Sequence, residues 1–158
     1  MYNVGSIFRT ADAAGVEKVL LCGYTPTPLD RFGRERGDFN KVSLGAEKSV
    51  AWEYNKTLAS AIRKLKKENF LILAIEQSKK STPLFDYRQP ANKNIALVLG
   101  NEVRGLSPKT LAQADHILEI PMRGSMVRHA HHPRNSKRGK ESLNVSVAAG
   151  IALFALTH

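Results

Sequence analysis

Short, unbroken apolar runs set the strongest constraint on how this chain can fold. Residues 19–22 (VLLC), 70–75 (FLILAI) and 95–99 (IALVL) are continuous hydrophobic stretches, each bounded by Gly, Asn or a charged residue. A strand with one solvated face alternates polar and apolar side chains, whereas a strand buried on both faces of a parallel sheet does not. Stretches of helical periodicity lie between these runs. That rhythm implies an α/β fold with a mostly parallel sheet flanked by helices. No run approaches the ~20 apolar residues of a membrane span, so no membrane partner is expected. Nothing at the N-terminus resembles a signal peptide.

Helices are expected over residues 3–14, 58–67 and 142–156, and a further one is opened by Ser107-Pro108, with serine as cap and proline in the first turn. Additional strands are expected over 49–54 and 117–120. In 58–67, Leu58, Ile62 and Leu65 recur at helical spacing while Arg63, Lys64, Lys66 and Lys67 fall mostly elsewhere, the pattern of an amphipathic surface helix. Residues 23–45 read as a long loop rich in Pro, Gly and charge, and loops of that length in compact domains are often functional.

At 158 residues and 42% hydrophobic, the chain has apolar material for one domain spanning 1–158. Its 24 Lys and Arg against 14 Asp and Glu leave a formal charge of +10, which suggests a polyanionic partner. The single cysteine, Cys22, permits no internal disulfide and fits a reducing, cytoplasmic setting. Residues 125–139 (SMVRHAHHPRNSKRG) carry four Arg or Lys and three His, no acid and no hydrophobic period, and read as a flexible basic loop. His129, His131 and His132 sit there without a supporting shell, so no metal is expected.

Three segments could carry chemistry. Asn3-Val-Gly5-Ser-Ile-Phe-Arg9-Thr10 runs into an alanine-rich helix that Gly15 ends; its plain reading is a capped helix with one solvated arginine. Gly100-Asn-Glu102-Val-Arg-Gly105-Leu follows a strand, where ligands of open α/β sheets bind. That turn lacks the third glycine of a dinucleotide fingerprint and the lysine of a triphosphate-cradling loop; its plain reading is a tight strand-to-helix turn. Ser142-Leu143-Asn144 stands at the mouth of an otherwise apolar helix, where such residues usually act as caps.

Together and in this order, the three segments closely resemble the motifs of the SpoU/TrmH family of RNA ribose 2′-O-methyltransferases, within the SPOUT superfamily. The resemblance extends to Ser43-Leu44-Gly45-Ala46-Glu47 and Ile120-Pro121-Met122 and covers almost the whole chain. It implies a deep C-terminal trefoil knot, which chain-connection rules would otherwise exclude, an S-adenosylmethionine cofactor and a homodimer. By position, Arg9 matches the arginine proposed to activate the ribose hydroxyl. Asn3, Glu102, Ser142 and Asn144 match the other polar motif residues, and Gly100, Ile120 and Leu143 match positions that hold the adenosine moiety. Arg31, Arg34, Arg36 and Lys41 in the long loop are the expected contacts to RNA phosphates.

Two departures from the family pattern stand out. The first strand of the sheet, which relatives carry ahead of Asn3, is missing from this sequence, and residues 125–139 look like an insertion between two cofactor-contacting motifs. The expected activity is methylation of a ribose 2′-hydroxyl in tRNA or rRNA. A catalytically impaired RNA-binding module of the same fold is the alternative, and a nucleotide-cofactor oxidoreductase is disfavoured by the absent fingerprint glycines.

Overall fold

The computed structural model describes residues 1–101, 104–122 and 142–157. In chain order the elements are α1 (Tyr2–Ala13), β1 (Lys18–Cys22), α2 (Gly37–Ser43), α3 (Ala46–Ser49), β2 (Ala51–Asn55), α4 (Leu58–Lys67), β3 (Leu71–Ile75) and β4 (Thr82–Pro83). A single 3-10 turn (Leu84–Asp86) follows, then β5 (Ile95–Leu99), α5 (Pro108–Leu111), β6 (His116–Glu119) and α6 (Val145–Thr157). The basic segment 125–139 lies outside the described residues.

Every strand pair is parallel, as the unbroken apolar runs imply, but the strands form two sheets, β1-β2 and β4-β6-β3-β5. β3 pairs with β5 from Leu71↔Ile95 to Ile75↔Leu99 and with β6 from Leu73↔His116 to Ile75↔Leu118. It is the buried centre of the larger sheet, with Ile72, Leu73 and Ala74 all fully inaccessible. Ile72 and Ala74 face one apolar cluster with Ile62 of α4, Val98 and Leu106. Leu73 faces the other with Leu84, Leu118 and Ala152 of α6. A strand sandwiched between two helical layers has no polar face to present, so its run carries no alternation.

The third cluster joins α1, α2 and α3 to β1 through Phe8, Ala11, Leu21, Phe39, Ala46 and Val50. Phe8 meets Phe39 edge-to-face, with ring centroids 5.5 Å apart. Gly5 lets α1 approach this layer, because a Cβ there would lie 2.9 Å from Val42 Cβ. Two consecutive left-handed residues, Leu44 and Gly45, turn α2 into α3. Ser43 Oγ lies 2.5 Å from Glu47 Oε2 across that turn, and both residues are buried.

The long loop is more ordered than its composition implies, since its second half forms α2. The connection containing Pro83 likewise supplies β4, a two-residue strand at the edge of the larger sheet, where a proline's missing N–H costs no ladder bond. α4 starts at the cap Thr57, which accepts the Ser60 amide. Two of its lysines are paired: Lys64 with Glu53 of β2 at 3.0 Å, and Lys66 with Asp115 at 2.9 Å. Burial pushes the Asp115 carboxyl up, but the Ile72 amide and Lys66 outweigh it and hold it below its ordinary range.

Candidate cofactor pocket and RNA-facing groove

A cavity of about 440 Å³ opens where β3, β5 and β6 end. Ligands of parallel sheets bind beyond the carboxyl ends of the strands, and the volume is that of a small-molecule site. Its floor is made by the turn after β5. A Cβ on Gly100 would fall 2.7 Å from the carbonyl carbon of Gly105 and 2.9 Å from the Leu106 nitrogen, so only glycine allows the chain to double back here. Gly105 takes φ +60°, its amide donates to the Asn101 carbonyl at 2.7 Å, and Asn101 Oδ1 accepts the Arg104 amide.

Glu76, the first residue beyond β3, ties this turn to the sheet. Its own amide donates to the Leu118 carbonyl, its Oε2 accepts the Leu106 amide at 2.7 Å, and its Oε1 accepts the Gln77 amide. A side chain on Gly105 would collide with that carboxylate. Neither Glu76 nor Gly105 was expected as a site residue. The signal was present, because Glu76 is the polar residue immediately after an apolar run, at the strand end where ligands sit.

The opposite wall is the approach to α6. Ser142 and Leu143 line the cavity together with Ile120, Met122 and Gly100. Asn144 caps α6, its Oδ1 accepting the Ser146 amide at 2.9 Å, and its Nδ2 donates to Asn3 Oδ1 at 3.0 Å. Asn3 lies within the first turn of α1 instead of capping it. The two asparagines join the starts of α1 and α6 beside the cavity, and farther along Gly150 lies against Thr10.

Of the expected site residues, Gly100, Ile120, Leu143 and Ser142 therefore line one cavity, with Asn3 and Asn144 bonded to each other at its margin. Arg9 is not in the lining; it is solvent-exposed on α1 and makes no hydrogen bond or ion pair with the described residues. Glu102 lies outside the described residues. Leu99, Leu106 and Leu111 provide apolar surface for a flat heterocycle, and Glu76 and Glu119 provide carboxylates. That donor set fits a nucleoside carrying a cationic side chain.

A second, wider groove lies at the ends of β1 and β2, lined by Gly23, Tyr24, Arg31, Phe32, Arg36, Trp52 and Tyr54 among others. Arg31 and Arg36 reach it, Arg34 stands beside Phe32, and Lys41 projects from α2 outside it. Asp30 organises the loop: its Oδ1 accepts the Phe32 and Arg34 amides and its Oδ2 the Arg34 side chain at 2.9 Å. The Arg34 amide, then the Phe32 amide and the Arg34 guanidinium, hold the Asp30 carboxyl below its usual range. Among the described residues, no group of three or more His, Cys, Asp or Glu could hold a metal ion, and no helix is long and apolar enough to cross a membrane.

Comparison with known proteins agrees with this arrangement. Residues 1–127 match the model of the SpoU rRNA Methylase family. The 23S rRNA (guanosine-2′-O-)-methyltransferase RlmB of Salmonella typhi is 35% identical over 153 residues, covering 97% of this chain and 54% of that protein. The Escherichia coli K12 protein of the same name is 34% identical over the same lengths. Among solved structures, an AdoMet-bound rRNA methyltransferase from Sinorhizobium meliloti superposes with a TM-score of 0.78 at 25% identity, covering 98% of this chain and 50% of that one. A TrmH/SpoU tRNA modifying enzyme from A. aeolicus gives 0.74 at 28%, covering 99% and 68%. The chain thus spans about half the length of the curated relatives it matches. With its parallel α/β architecture, its glycine-floored pocket and this match over most of its length, the chain belongs to the SpoU rRNA methylase family.

Proposed function

We propose that this chain is an S-adenosylmethionine-dependent methyltransferase acting on a ribose 2′-hydroxyl of rRNA or tRNA, as a single catalytic domain in the cytoplasm. The observation that carries the reading is the cavity at the ends of β3, β5 and β6, in which Gly100, Ile120, Ser142 and Leu143 converge. Relatives named for 23S rRNA guanosine 2′-O-methylation and an AdoMet-bound neighbour support substrate and cofactor. The trefoil knot and the part played by Glu102 belong to the same proposal.

The cofactor supplies an electrophilic methyl group on a sulfonium. In the proposed reaction Gly100, Ile120 and Leu143 would hold the cofactor's nucleoside, the ribose 2′-oxygen would take the methyl group from it, and a neighbouring RNA phosphate would take the hydroxyl proton. A 2′-hydroxyl is a weak nucleophile, so alignment and stabilisation of the developing oxyanion are what the protein must contribute. The guanidinium of Arg9 suits that role by holding the 2′-oxygen and a neighbouring phosphate through its planar fork of donors. Ser142 and the Asn3–Asn144 pair position the ribose. Arg31 supplies a contact to the RNA backbone from the groove, where Arg34 and Arg36 are paired with Asp30 and Asp38, and Lys41 supplies another from α2 outside it.

Arg9 is absent from the pocket lining of one chain, which favours a homodimer that completes the site. α6 supports this: its sequence VSVAAGIALFALT is apolar all round, yet Val147 is 49% and Phe154 43% exposed. Calorimetric titration with S-adenosylmethionine, followed by methyl transfer to RNA, tests the reading. Arg9→Ala is expected to keep cofactor affinity and to lose methyl transfer by at least about a hundredfold, the usual loss of a transition-state contact. Undiminished turnover by that variant would remove Arg9 from the mechanism, and failure of the native chain to bind cofactor would overturn the function.

A further inference from the structure

From the groove at the ends of β1 and β2 we infer a stacking platform for unpaired RNA bases, with Phe32 and Tyr24 as its faces and Arg31 as its phosphate anchor. This rests on the RNA reading above and adds to it the form of RNA engaged. Three exposed aromatic rings converge on this groove: Tyr24 is 79%, Phe32 66% and Tyr54 50% accessible. Exposed rings on one concavity are costly to hydration unless something covers them. The fold also holds this loop in a defined shape. An antiparallel bridge joins Leu29 to Glu35, Asp30 gathers the amides at the tip, and the Tyr54 hydroxyl donates to the Gly23 carbonyl at 2.8 Å.

Charge decides between a phosphate-binding surface and a base-binding one. Each carboxylate of the groove already has a cation: Asp30 with Arg34 at 2.9 Å, Glu35 with Lys48 at 3.1 Å, and Asp38 with Arg36 at 3.7 Å. Arg31 has no carboxylate partner among the described residues; its guanidinium lies 4.7 Å from the Phe32 ring centroid, with Arg34 at 5.0 Å. The groove therefore offers one uncompensated cation and several π faces. That ratio suits bases, which stack on aromatic rings and on arginine planes irrespective of sequence, better than it suits a duplex, whose bases are inaccessible and whose backbone demands many cations.

The test measures fluorescence anisotropy with a labelled mixed-sequence single-stranded RNA of about 16 nucleotides, the upper site size of such surfaces, and with its blunt duplex. Phe32→Ala and Tyr24→Ala are each expected to weaken single-strand binding about tenfold while duplex affinity changes less than about twofold, and Phe32→Trp restores it. Arg31→Ala is expected to lower the salt slope by about 0.7, one single-strand phosphate. S-adenosylmethionine affinity, measured by calorimetry on the same variants, is expected to stay at the native value and so to report an intact fold. Equal losses for single strand and duplex, or none for either ring variant, overturn the platform while leaving the methyltransferase reading in place. A fall in dimer fraction with the ring variants assigns the groove to a second copy and also overturns it. A native chain that binds neither RNA removes the RNA reading, and the platform with it.

Discussion

At the ends of β3 and β5 the floor of the cavity is a backbone turn that admits no side chain at Gly100 or Gly105, whereas at the ends of β1 and β2 the groove is walled by exposed side chains. The cavity is shaped by Gly100 and Gly105, which exclude side chains, and by Glu76, whose carboxylate is occupied by the Leu106 and Gln77 amides. The groove is shaped by Tyr24, Phe32 and Arg31, which stand out from an exposed loop. A site of the first kind has one shape and binds one ligand class. One of the second kind tolerates exchange of its residues and suits a partner whose sequence varies, as an RNA segment does.

Alanine placed at a glycine in each region is the sharpest way to break that comparison. Gly100→Ala drives a Cβ into the backbone at 105 and 106, so the turn must move, at about 1–3 kcal/mol, and S-adenosylmethionine binding in a calorimeter is expected to vanish. Gly33→Ala meets no atom within 4 Å, and its φ of +77° alone costs about 1–2 kcal/mol. Cofactor affinity should there be native. If Gly100→Ala binds normally, the cavity floor is not the rigid element described.

Glu76→Gln gives a smaller effect. Glutamine keeps one carbonyl oxygen for one of the two amides, so about 1 kcal/mol is expected to be lost, seen as a shift in the urea midpoint, with about fivefold weaker cofactor binding. RNA affinity is expected to remain native, because the groove lies in the other sheet.

Acid gives the smallest effect, and it falls on the groove. Asp30 has a carboxyl held below its ordinary range in the fold, so the order it confers is fully present above the unfolded carboxylate value of about 4 and is lost as pH falls through the lower folded value. Amide exchange at Phe32 and Arg34 should be slow and pH-independent, after correction for intrinsic exchange, down to about pH 4 and should accelerate only below it. Acceleration beginning near pH 6 would contradict the Asp30 geometry.

How far the sequence disclosed this molecule depended on whether a residue's role was local. β3 and β5 were legible because burial on both faces leaves an uninterrupted apolar run, and α4 because its three apolar residues repeat at helical spacing. α2 was hidden: GDFNKVS contains Gly, Asp, Asn and Ser, and of its apolar side chains only Phe39 is buried. The pocket residues Gly100, Ile120, Ser142 and Leu143 were accessible through motif order. The aromatic groove was not, because positions 24, 32 and 54 have no period and are brought together by the Asp30 turn and by pairing of β1 with β2. Lys41, expected to join the loop arginines, was carried off the groove by the helix that contains it.

The hydrogen bond between Asn3 and Asn144 joins residues 141 apart in sequence. Closing so long a stretch of chain costs entropy that this one bond does not repay, so the α1–α6 contact draws on the packing of the helices around it. Because the margin of the cavity exists only where α6 lies on α1, a ligand selective for that docked form favours the contact between the two helices as its concentration rises.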